Sequence, residues 1–141
     1  MTDTLSIGWS QAAAAKALKS FRRLYGFNLA LQSLIALVAL IWPSLLLAVV
    51  GLPDPEIAAQ WVRVWAMMVI MASVLQVPGY LDPMFNRIPC VVGIVFRGLI
   101  TVLYILLGGG FLWLALFDGL FAIALYVTYR RAVIAELQTR P

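Results

Sequence analysis

"IPCVVGIVFRGLITVLYILLGGGFLWLALFDGLFAIALYVTY", from Ile88 to Tyr129, contains only two charged residues, Arg97 and Asp118. Drawn as a single helix it would measure roughly 63 Å, at 1.5 Å per residue. The hydrocarbon core of a bilayer is about 30 Å thick. The stretch is too long for one crossing and predicts two, at 90–107 and 112–129, with the glycine run Gly108–Gly110 as the turn between them.

Composition points to the same solvent. Hydrophobic residues make up 64% of the chain and charged residues 11%, against about 25% charged in ordinary soluble domains. Mean hydropathy is +0.99. A chain of 141 residues has too much surface per unit volume to be this apolar in water.

Two more spans precede the quoted stretch. No charge falls between Arg23 and Asp54, which predicts a first span at 27–50 with a kink at Pro43. "WVRVWAMMVIMASVLQVPGY", Trp61 to Tyr80, predicts the second, closed by Pro78-Gly79. The segment 5–25 is alanine-rich and predicted helical. At 100° per residue Lys16, Lys19, Arg22 and Arg23 share one side and Leu18, Phe21, Leu24 and Tyr25 the other. That pattern predicts an amphipathic helix on the membrane surface, its cations against anionic lipid headgroups. A cleaved signal peptide fits poorly, because the basic segment leads into a full-length span. The expected organisation is an amphipathic interfacial helix at 1–26, an all-α four-helix membrane bundle at 27–131 and a polar tail at 132–141.

Orientation follows from the cations. Lys16, Lys19, Arg22, Arg23, Arg87, Arg130, Arg131 and Arg140 fall on one side of a four-span chain, and Arg63 on the other with Asp54 and Glu56. The positive-inside rule then assigns both termini to the cytoplasm.

Several chemistries are excluded or disfavoured. Histidine is absent, which removes bis-histidine haem, histidine zinc sites and serine–histidine hydrolysis. The single cysteine, Cys90, cannot form a dithiol relay, and reads as a small apolar residue at a helix entrance. No catalytic residue, cofactor or metal is expected. Net charge is +4, but no basic face interleaved with aromatics exists, so no nucleic acid is expected either.

The two charges in the opening stretch carry the candidate site. Arg97 lies some 16 Å below the glycine turn and Asp118 some 12 Å below it, at 1.5 Å per residue. A lone ionised group at that depth costs at least about 2.5–3.5 kcal/mol, so each supplies what the other lacks. Gly93, Arg97, Thr101 and Tyr104 share one face of the third span, and Ala115, Asp118, Gly119 and Ala122 a small-residue face of the fourth. Ser73, Gln76 and Tyr80 align on the second span, and Gln32 and Ser33 lie in the cytoplasmic half of the first. Converging, these faces make a polar interior. Three readings stay open for the pair: a structural salt bridge, a headgroup, substrate or proton site, or a contact with a partner subunit.

"GYLDP" closing the second span, Arg87 in the short loop, "GIVFRG" in the third span and "FDGLFAIALYVTYRR" in the fourth resemble the DoxX-like group of small bacterial four-span membrane proteins. The likeness covers about 27–131, and the basic start departs from it. It implies a four-helix bundle in a bacterial inner membrane and a link to redox or quinone complexes, with no established catalytic residues. The leading functional expectation is a non-catalytic accessory or scaffold subunit, bound to a membrane-protein partner or to further copies of itself. The alternative is a small transporter, or a lipid- or quinone-binding protein that uses Arg97 and Asp118.

Overall fold

The computed structural model describes the backbone of residues 3–52 and 56–139, and side chains from Gln11 onward. Asp54 and Arg140, both used in the charge count, lie outside the described residues. Among the described residues the chain forms five helices and no strand: α1 (Asp3–Ile41), α2 (Pro43–Val50), α3 (Glu56–Leu81), α4 (Arg87–Leu107) and α5 (Phe111–Leu137). All but α2 are long and apolar enough to cross a membrane. The chain is an all-α, multi-pass membrane bundle.

Local chemistry explains where the helices stop. Pro43 lacks an N–H, and its ring disfavours helical backbone at the residue before it. Trp42 accordingly leaves the helix at φ −123° and ψ 73°, and Pro43 opens α2 at its first turn. The expected kinked span at 27–50 is therefore two helices meeting at Trp42. Pro78, by contrast, sits in the last turn of α3, which runs on to Leu81. Its carbonyl still accepts from the Asp82 N–H at 3.0 Å and from Asn86 Nδ2 at 3.3 Å. The glycine turn is as expected. Gly108 and Gly109 hold φ of 67° and 55°, values that cost glycine little and other residues much, and the Gly108 N–H closes α4 on the Tyr104 carbonyl at 3.1 Å.

The two ends of the chain differ from expectation. No break separates an interfacial helix from the first span, since α1 is continuous through Gly26. At 39 residues it is about 58 Å long. The apolar side of its basic segment turns onto protein. Phe21 and Tyr25 are fully buried in a cluster with Leu29, Cys90, Leu125 and Ala132. Phe21 stacks on Tyr25 at 5.3 Å and meets Tyr129 of α5 at 5.1 Å. Lys16, Lys19, Arg22 and Arg23 stay exposed. The expected tail likewise begins as helix, with α5 continuing to Leu137 and Ala132 buried.

A second apolar cluster, built on Ala36, Ala39 and Ala66, lies further along α1 and α3. Small side chains there let the two backbones approach closely. Leu29 belongs to the first cluster and Ala36 to the second, so α1 delivers Gln32 to the layer between them. The outward faces carry large apolar side chains such as Leu75, Met68 and Trp61, as a lipid-facing surface requires.

Candidate functional site

The layer between the two apolar clusters is polar. Arg97 of α4 is only 7% exposed. Its Nη1 donates to Asp118 Oδ1 of α5, and the two form an ion pair. Its Nη2 donates to Gln32 Oε1 of α1. Gln32 Nε2 in turn donates to Ser73 Oγ of α3 at 2.9 Å, and the Ser73 hydroxyl donates to the Val69 carbonyl at 2.8 Å. One hydrogen-bonded chain thus runs Asp118–Arg97–Gln32–Ser73 and joins all four long helices. The guanidinium also lies 5.9 Å from the centroid of the Phe121 ring, within cation–π range.

Why the groups arrive together is a matter of helical period. Arg97 and Asp118 face each other because α4 and α5 form an antiparallel hairpin around a tight turn. Close approach is helped by Gly119, where a Cβ would sit 3.1 Å from Thr101 Cγ2. The Thr101 hydroxyl donates back to the Arg97 carbonyl at 2.7 Å. Thr101 is thus on the expected face, with its hydroxyl bonded to its own helix rather than to the charge pair.

Toward the α3–α4 loop a second polar contact appears. The Tyr25 hydroxyl reaches Gln76 Oε1 at 3.3 Å and the Pro89 carbonyl at 3.4 Å. Gly93 faces this contact, and a Cβ there would fall 2.6 Å from Gln76 Oε1. Gln76 is half-buried and bonded to a tyrosine that the sequence pattern assigns to the interfacial segment. Tyr80 does not join it. Its ring covers Gly26 and lies 5.6 Å under the Arg22 guanidinium, at the basic end of the bundle. The reason is position: Tyr80 is in the last turn of α3, past the polar layer. Tyr104 is buried, and its ring stacks on Phe111 at 6.0 Å.

Two interior residues escaped the sequence reading, Tyr25 and Asn28. Both are fully buried. The signal was available, because at 100° per residue Tyr25, Asn28, Gln32, Ala36 and Ala39 lie within one narrow stripe. A segment boundary drawn at residue 26 cut that stripe in two.

Chemically, the guanidinium is neutralised by one carboxylate and held by one amide, and both its terminal nitrogens are engaged. Among the described residues no three His, Cys, Asp or Glu side chains gather to hold a metal ion. No family model, curated protein or solved structure matches this chain.

Proposed function

We propose that this chain is a non-catalytic accessory or scaffold subunit of a membrane complex, in a bacterial inner membrane with both termini in the cytoplasm. The observation that carries the reading is the Asp118–Arg97–Gln32–Ser73 chain. Its donors and acceptors are used to tie four helices to one another, which is what a rigid building block needs. The outer surface supports the same reading. An open apolar groove beside α5 is lined by Ile105, Leu112, Leu116, Leu120 and Ile123, a face that a partner helix could cover. The DoxX-like resemblance, with its link to redox or quinone complexes, agrees with a subunit role.

The experiment is purification from native membranes in a gentle detergent, followed by mass determination of the intact particle. A stoichiometric protein partner or a defined homo-oligomer is the expected result. A monomer carrying a stoichiometric quinone or other small molecule would favour the rival binding reading instead. Retained anionic lipid is also expected. Lys16, Lys19, Arg22 and Arg23 are exposed along α1, and each such cation near an anionic surface contributes roughly 1 kcal/mol.

Support for the orientation comes from where the cations gather. Phe21 meets Tyr129, and Arg22 lies over Tyr80. The basic stretch of α1 is thus level with the end of α3 and with Arg130 and Arg131 of α5. Single cysteines at Glu56 and Thr139 test it, with Cys90 buried in the core. A membrane-impermeant thiol reagent added to spheroplasts should label position 56 and spare 139. Labelling of 139 alone reverses the topology.

A further inference from the structure

Asn28 of α1 is left out of the polar chain. It is fully buried, and neither its Nδ2 nor its Oδ1 has a hydrogen-bond partner among the described residues. A primary amide without partners in an apolar interior is costly, and native structures seldom leave one so. Its neighbours are informative. Tyr25 lies three residues before it and Gln32 four residues after it, on the same stripe of α1. Those offsets correspond to about 4.5 and 6 Å along the helix axis, and two hydrogen bonds of about 2.8 Å through one water cover such a gap. Both neighbours have acceptor capacity to spare. The Tyr25 hydroxyl is engaged as a donor, which leaves its oxygen lone pairs free, and Gln32 Oε1 accepts from Arg97 with a second lone pair remaining.

We propose that Asn28 is an internal water-binding site. It holds a water that bridges to Tyr25 or Gln32 and extends the polar layer toward the Tyr25–Gln76 contact. The ligand class follows from the packing. Asn28 presents no surface to the outside, so no ligand larger than a single small molecule reaches it from solvent or lipid. A species small enough to enter, with both donor and acceptor capacity, is water, and buried waters in proteins typically make about three hydrogen bonds to groups of this kind. The Arg97–Asp118 pair is then flanked by a hydrated amide rather than by dry side chains. This inference does not depend on the accessory-subunit reading.

The chain has two asparagines, Asn28 and Asn86, so labelling asparagine alone with 15N gives two side-chain amide pairs in nanodiscs. Asn86 is an internal control, since it lies in the α3–α4 loop with its amide on the Pro78 carbonyl. The Asn86 pair should show exchange with bulk water. The Asn28 pair should show a direct, exchange-free NOE at the water frequency, and Asn28→Leu should lose that signal and melt at a lower temperature. An Asn28 pair with no water NOE, or with NOEs only to lipid chains, overturns the proposal. A higher melting temperature for Asn28→Leu also overturns it, because that is the response of a dry, unsatisfied amide. Should Asn28→Leu not fold, the wild-type NOE alone decides.

Discussion

Arg97→Leu and Asp118→Leu, each made alone, should lower the stability of the detergent-solubilised protein by about 3–5 kcal/mol, the usual cost of breaking a buried ion pair from one side. The Arg97 and Asp118 side chains are 8% and 17% exposed, so water screens the remaining partner poorly. The two singles should differ. Asp118→Leu leaves a buried cation still held by Gln32 and close to the Phe121 ring. Arg97→Leu removes the donor to Gln32 Oε1 but leaves a carboxyl group that can take up a proton, whereas a stranded guanidinium keeps its charge, so Asp118→Leu should be the worse. The double Leu variant should recover much of the loss, because neither charge is then stranded. Recovery should stop short of wild type. Gln32 Oε1 stays without its donor, and an unsatisfied buried acceptor costs about 1–3 kcal/mol. Adding Gln32→Leu should restore part of that remainder, because it removes the stranded acceptor while the Ser73 hydroxyl keeps its bond to the Val69 carbonyl. Thermal melts of the singles, the double and the triple measure all of this. Singles as stable as wild type would mean that the two residues do not depend on each other. The double variant also separates structure from function. Folded with its cellular phenotype intact, it makes the pair structural. Folded without the phenotype, it makes the pair part of a binding or proton site and favours the rival reading.

Gly110→Ala should be the most damaging of the single glycine-to-alanine changes. Its backbone is ordinary helical, with φ −67° and ψ −16°, so conformational freedom is not the reason. The new Cβ would collide with the carbonyl of Val50 and fall 2.7 Å from Val50 Cα. Backbone at the end of α2 cannot rotate away as a side-chain tip can. Overpacking of this kind costs about 1–3 kcal/mol, and the upper end is expected here. Gly98→Ala is the matched control, with nothing within 4 Å of its Cβ. There the helix should gain roughly 0.5–1 kcal/mol from reduced chain entropy. Equal melting temperatures for the two variants would show that α2 does not seat against the start of α5.

Period, length and charge alone determined much of this protein. The run from Ile88 to Tyr129 had to cross twice, because 42 residues exceed one bilayer, and three adjacent glycines marked where it turned. The pairing of Arg97 with Asp118 was legible as an expectation, because a lone charge at that depth is costly and their depths along a hairpin agree. These are one-dimensional arguments, and a sequence is one-dimensional data. Pro43 was legible as a disruption, yet whether it kinked a helix or began a new one depended on Trp42 leaving helical backbone. The basic segment before residue 26 was legible as two-faced. Lipid and protein both accept an apolar face, however, and only the arrival of Tyr129, Leu125 and Cys90 beside Phe21 and Tyr25 decided that protein covers it. The partner of a polar side chain is decided the same way. Gln32, Ser73 and Gln76 could each be assigned to an interior face from spacing. That Gln32 takes the second arm of Arg97, that Gln76 goes to Tyr25 and that Asn28 is left between them depends on the rotation and depth of one helix against three others, which close packing sets and no single segment encodes.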